Sequence, residues 1–172
     1  MSDNNACDIL FDRFLDPHAT DSTLRSLGLD GFAIDATEDE MHRDPDRCFD
    51  NWTTPLSAAA LMDRLAAGTL PVADAESLKE ILLGCRTGEG RLPSPLKGTS
   101  ARIGHKTGTS DMDENGRWTA VNDVGFVQLP DGRRYSIAVM VKDSGLGFEA
   151  TEKIIADISA AVYEALRRPG EL

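Results

Sequence analysis

Gly104-His105-Lys106-Thr107-Gly108-Thr109-Ser110 is the stretch on which the fold turns. All but its last residue lies inside a segment, 102–109, whose pattern predicts a β-strand. Lys106 supplies a cation and Thr107 a hydroxyl. Gly108 has no side chain, so a ligand can come close to the strand edge there, and Thr109 can then offer its backbone N–H. Taken alone, Lys-Thr-Gly is a strand end running into a turn.

The pattern around this strand extends it into a sheet. Segments 118–129 and 134–142 carry strand signals and are joined by a turn at Asp131-Gly132, predicting an antiparallel hairpin. Glu149–Arg167 closes the chain as a helix, with Ile154, Ile155, Ile158, Val162 and Leu166 expected to face inward and Arg167 and Arg168 suiting its C-terminal dipole. Before the strands the chain is helical. Helices are expected over Ala6–Leu15, over His18–Leu27 up to Gly28, from Thr54-Pro55 with Leu56, Ala60, Leu61 and Leu65 on one face, and over Ala73–Gly84 around Leu78, Ile81 and Leu82. An acidic loop fills 30–52. The expected class is therefore α+β, with a helical subdomain over 1–100 and antiparallel strands plus a C-terminal helix over 101–172.

Composition narrows the function. The 172 residues carry a formal charge of −11 and are 41% hydrophobic, with a mean hydropathy of −0.28, as in a soluble globular piece. The acidity argues against a nucleic-acid partner, which needs basic patches. No apolar run approaches the roughly 20 residues of a spanning helix, so no membrane association is expected. Cys7, Cys48 and Cys85 cannot all pair within one chain and match no zinc spacing, so thiols without a metal or other cofactor are expected. The start lacks the basic and apolar regions of a signal peptide, so the chain as written would stay in the cytoplasm.

The chain opens Met1-Ser2-Asp3-Asn4-Asn5-Ala6-Cys7-Asp8. By itself Ser-Asp-Asn is helix-capping chemistry. With Lys106 to lower its pKa, the Ser2 hydroxyl could pass a proton to a departing nitrogen. Asn4 offers a donor and an acceptor to an amide.

Ser2-Asp3-Asn4 and Lys106-Thr107-Gly108, in this order, resemble two of the three signature elements of class A serine β-lactamases and penicillin-binding proteins. The surroundings resemble the same family over nearly the whole chain. Ala36-Thr37-Glu38-Asp39-Glu40-Met41-His42 leading into Asn51-Trp52-Thr53-Thr54-Pro55 is similar to the family's Ω-loop, in the version of its PER-like subgroup. Asn122-Asp123-Val124-Gly125 and Leu129-Pro130-Asp131-Gly132-Arg133 resemble its paired strands. The resemblance implies an α/β/α fold of which three of five sheet strands are present. It also implies β-lactam hydrolysis through an acyl-enzyme, with Ser2, Glu38 and Lys106 in the chemistry and Asn4, Thr107, Gly108, Thr109 and His42 around the substrate or the water. Glu38 takes the position of the deacylating base, which a transpeptidase would not explain, and His42 stands where most class A enzymes have an asparagine.

The family's third element, Ser-x-x-Lys, should precede Ser2. The one match in this chain, Ser94-Pro95-Leu96-Lys97, sits in a loop and follows Ser-Asp-Asn, so it is not expected to be the nucleophile. The expectation is a C-terminal portion of such an enzyme, inactive alone, with a penicillin-binding transpeptidase and a non-catalytic binding remnant as alternatives. Full-length relatives would work in the periplasm or outside the cell. A further expectation is an exposed sheet edge at Ile137, Val139 and Val141 that invites an oligomer or a complementing segment.

Overall fold

The computed structural model describes residues 3–71 and 73–167. Its contacts divide the chain into two compact units, one running to Leu61 and the other beginning at Met62.

In the first unit, α1 (Asn4–Arg13) starts two residues before the expected point because Asp3 is its cap, its carboxylate accepting from Ala6 N–H at 3.0 Å. The second helix, α2 (Pro17–Ser26), is capped by Asp16 and uses Pro17 in its first turn, where a missing N–H costs nothing. The acidic loop is more ordered than its composition suggested. A two-residue pair, β1 (Phe32–Ala33) with β2 (Trp52–Thr53), closes its ends. Between them lie α3 (Glu38–Arg43) and a 3-10 turn at Pro45–Phe49. Asn51 holds the loop from inside: its carbonyl accepts from the Asp35 and Ala36 N–H groups at 2.7 and 2.9 Å, and its amide donates to the Ala36 carbonyl at 2.9 Å. Arg47 adds contacts to Asp35, Glu40 and Asp50.

The boundary between the units falls within α4 (Pro55–Ala67). Leu65 is buried as expected, but Leu56 at the start of the same face is 81% exposed, and Ser57 and Met62 are buried. After α5 (Ala75–Leu83), on which Leu78 and Ile81 are exposed rather than inward, the chain enters a three-stranded antiparallel sheet. Its strands are β3 (Arg102–Thr109), β4 (Trp118–Gln128) and β5 (Arg134–Ser144), in the order β3-β4-β5. The hairpin turn is as expected: Gly132 takes φ +87, Gly132 N–H donates to the Leu129 carbonyl at 3.1 Å, and Leu129 N–H to that of Arg133 at 2.8 Å.

Two hydrogen bonds fix which way every rung points. Leu129 N–H bonds Arg133 O, and Ser110 N–H bonds Ala120 O at 3.0 Å. Because hydrogen-bonded pairs recur at every second residue, β4 turns its odd-numbered backbone toward β5 and its even-numbered backbone toward β3. The odd-numbered residues of β3 and the even-numbered residues of β5 therefore direct their N–H and C=O outward.

The core lies between one face of this sheet and α6 (Phe148–Arg167). Leu92, Val121, Ile137, Val139 and Ile155 form one cluster, and Leu96, Val127 and Leu129 another. Of the residues expected to face inward on α6, Ile155 is buried and Val162 and Leu166 pack against the two clusters, while Ile154 and Ile158 are 37% and 42% exposed. Thr151 and Ser159, four residues to either side of Ile155, share its buried position. Their small hydroxyls permit close approach because they are satisfied: Thr151 meets Ser144 at 2.8 Å and Ser159 donates to the Leu92 carbonyl at 2.9 Å. The side chains of Ile137 and Val139 are likewise buried, so what β5 exposes at its edge is backbone rather than an apolar stripe.

Candidate active site

The first unit holds four of the residues singled out from the sequence. Ser2 lies outside the described residues. Asn4 is the exposed first residue of α1. Glu38, half-buried, opens α3, which Thr37 caps in a reciprocal box with Glu40. Asp8 reaches this helix from α1: one carboxylate oxygen accepts from Glu38 N–H and the other from Asp39 N–H, both at 2.8 Å. A carboxylate on two orphan N–H groups complements the helix dipole and fixes where Glu38 begins. His42, exposed, is one turn further on, on the same side of α3 as Glu38.

The second unit holds the β3 residues. Lys106 pairs in register with Val124, Thr107 with Asp123, Gly108 with Asn122 and Thr109 with Val121. Strand alternation puts Lys106 on the sheet face away from α6 and Thr107 and Thr109 on the α6 side. Lys106 is exposed, with Nζ 2.5 Å from the Thr107 carbonyl. A Cβ built on Gly108 would meet nothing nearer than Asn122 Cβ at 4.0 Å, so the space over the strand is open. By the rung pattern, the Thr109 N–H points outward, away from β4.

Several residues that the sequence did not single out hold this strand. Arg91, buried, spreads its guanidinium over four acceptors. Nε donates to Glu152 at 3.0 Å, Nη1 to the carbonyls of Gly108 and Asn122 at 3.2 and 2.8 Å, and Nη2 to Thr109 Oγ1 at 2.7 Å. Thr107 Oγ1 meets Thr87 Oγ1 at 2.7 Å, and Thr87 in turn meets Cys85 Sγ at 3.3 Å. Beneath Lys106, His105 Nδ1 lies 2.9 Å from Asp123 Oδ1, and Asp123 Oδ2 accepts from Leu92 N–H at 3.2 Å, all of it buried. The two hydroxyls and the strand are thus fixed from behind, while Lys106 and Gly108 stay open in front. Such a surface can attract a carboxylate and donate an N–H to a carbonyl oxygen that becomes an anion.

Ser94-Pro95-Leu96-Lys97 is not a catalytic pair. It is a single 3-10 turn, Ser94–Leu96, after which Lys97 is extended and meets Glu89 at 3.1 Å. Cys7, Cys48 and Cys85 are thiols. No helix of the described residues is long and apolar enough to cross a membrane.

Residues 1–166 match the family described as Beta-lactamase enzyme family. A β-lactamase of Bacteroides uniformis is 38% identical over 171 residues, covering 97% of this chain and 57% of that protein. The extended-spectrum β-lactamase PER-1 of Pseudomonas aeruginosa is 35% identical over 164 residues, covering 95% of this chain and 53% of that one. Among solved structures, the TLA-1 extended-spectrum β-lactamase superposes with a TM-score of 0.90 at 35% identity, over 96% of this chain and 60% of that one. The chain therefore spans somewhat more than half the length of the relatives it matches.

Proposed function

The chain belongs to the β-lactamase enzyme family, in its class A branch, and from this we propose that its residues serve the hydrolysis of β-lactam antibiotics through a serine acyl-enzyme. The observation that carries the reading is the front of β3, where exposed Lys106 stands beside an uncovered Gly108 and an outward Thr109 N–H. A β-lactam brings a carboxylate and a strained amide. Lys106 attracts the first, the Thr107 and Thr109 hydroxyls hold the strand from behind through Thr87 and Arg91, and the Thr109 N–H receives the oxygen of the second as it becomes an anion.

The remaining roles are part of the same proposal. Glu38, on the loop we take as the Ω-loop, activates the water that releases the acyl group, and His42 helps to hold that water. Ser2 passes a proton to the departing nitrogen with Lys106 as its cation, and Asn4 meets an amide side chain of the substrate. Residues 1–100 and 101–172 act as parts of one domain. No acylating serine is assigned among these residues, so the 172-residue chain by itself holds a β-lactam without turning it over.

A chromogenic cephalosporin tests both halves. The expected result is saturable binding that weakens in Lys106→Ala, with no colour change and no covalent adduct by intact mass. Turnover by the chain that is lost in Glu38→Gln would overturn the assignment of no nucleophile. Absent binding, or binding indifferent to Lys106, would overturn the substrate assignment.

A further inference from the structure

Arg91 is a buried cation that the proposed chemistry leaves without a part. The loop before β3 is shaped around it by two glycines. Gly88 takes φ +64, and a Cβ on it would stand 3.1 Å from Arg91 Cδ, while a Cβ on Gly90 would stand 2.8 Å from a carboxylate oxygen of Glu152. The Phe148 ring covers the guanidinium, with its centroid 5.5 Å from Cζ. A charge sealed against the sheet in this way acts strongly on the dipoles it touches.

The dipole that matters is one peptide unit. Arg91 Nη1 donates to the Gly108 carbonyl at 3.2 Å, and that carbonyl and the Thr109 N–H are the two ends of the same amide. By the rung pattern the carbonyl points toward β4 and the N–H points out of the sheet edge. A charged donor on the oxygen of an amide draws electrons toward that end and leaves the N–H at the other end more positive. Two further contacts keep the guanidinium from turning away: Nη1 to the Asn122 carbonyl at 2.8 Å and Nη2 to Thr109 Oγ1 at 2.7 Å. Glu152, which accepts from Nε at 3.0 Å, offsets part of the charge.

We infer that Arg91 strengthens the Thr109 N–H as an oxyanion donor by polarising the peptide unit that carries it, with Glu152 setting how strongly. Arg91 acts through the amide rather than on the substrate, so it is a positioning residue. The polarisation is in place before any ligand arrives, as donors aimed at a developing anion require. The role rests on the reading of the Thr109 N–H as that donor, but the polarisation can be measured without it.

A polarised N–H is more acidic, so base-catalysed hydrogen exchange of the Thr109 amide in the 172-residue chain reads the effect directly. Arg91→Gln removes the charge and is expected to slow this exchange by about tenfold or more. Glu152→Gln keeps Arg91 and an acceptor for Nε but removes the offsetting anion, so exchange should become faster. If Arg91→Gln fails to fold, the direction of change in Glu152→Gln decides. Any other pattern overturns the inference: faster exchange in both variants is what a loosened strand gives, and no change in either means that the amide does not feel the cation. The β-lactam carbonyl stretch of a bound cephalosporin, by infrared difference spectroscopy, tests the use of the N–H. It should lie below that of the free drug in the unaltered chain, move back toward it in Arg91→Gln and drop further in Glu152→Gln. An unshifted band in the unaltered chain would overturn Thr109 as the donor, and the exchange rates would still decide what Arg91 does to the amide. A shifted band indifferent to both substitutions would keep the donor and overturn the role of Arg91.

Discussion

Arg91 and Glu152, 61 positions apart, meet at 3.0 Å with their side chains only 3% and 18% exposed. Removing one member strands the other, together with the carbonyls of Gly108 and Asn122 and the hydroxyl of Thr109. We expect Arg91→Ala to cost about 3–5 kcal/mol, read as the shift in the urea unfolding midpoint. Arg91→Lys should recover little of this, because an ammonium cannot reproduce a fork of donors set at fixed angles.

Asp123 serves two donors at once, the His105 ring and the Leu92 N–H. Asp123→Ala leaves both without an acceptor in a sealed site and is expected to cost about 2–3 kcal/mol. Asp123→Asn keeps one acceptor oxygen and should cost less than alanine. Chemical denaturation gives the order, and the His105 nitrogen shifts report the lost contact directly.

Gly104 lies under the ring of Phe126, where an added Cβ would come within 2.5 Å of Cζ. Phe126 is fully buried and has no room to retreat. Gly104→Ala should therefore destabilise by about 1–3 kcal/mol. Phe126→Leu placed in that variant should return part of the loss, giving a favourable coupling in a double-mutant cycle.

Burial pushes the Tyr135 phenol up to about 12 from its ordinary 10.0, with a smaller contribution from neighbouring Tyr163. Between those two values the unfolded chain releases a proton that the folded chain keeps, so stability is whole below pH 10 and falls as pH rises through the window. The hydroxyl also has no hydrogen-bond partner among the described residues. Tyr135→Phe is accordingly expected to raise stability at neutral pH by about 1 kcal/mol and to flatten the alkaline decline, both measured by thermal melts over a pH series.

What the sequence disclosed followed the range of the signal. The strand at 102–109 and the turn at Asp131-Gly132 are governed by neighbours within a few residues, and both stand where alternation and turn chemistry put them. On α6, Ile155, Val162 and Leu166 pack inward as their spacing predicts, but Ile154 and Ile158 do not, because Thr151 and Ser159 take inward positions through hydrogen bonds to Ser144 and Leu92. Arg91 passed unnoticed for a related reason. In Thr87-Gly88-Glu89-Gly90-Arg91 it has the look of a loop cation, and its acceptors lie 17 to 61 positions away. The nearest local hint was a lone arginine running directly into apolar Leu92 just before the strand. The order within the acidic loop was hidden similarly, since charge alone does not announce that Asn51 will tie Asp35 and Ala36 together.

The carboxylate of Asp8 has an evolutionary consequence. Because it grips the first two N–H groups of α3, the start of that helix is anchored to α1, and Asn51 anchors the residues just before it. The connection over 27–31, between α2 and β1, is relieved of that duty. Insertions there should be tolerated, each doubling of loop length costing only about 0.6 kcal/mol, while Glu38 keeps its place. Length variation among descendants should accumulate in that connection, and positions 8 and 51 should resist change for the backbone groups they hold.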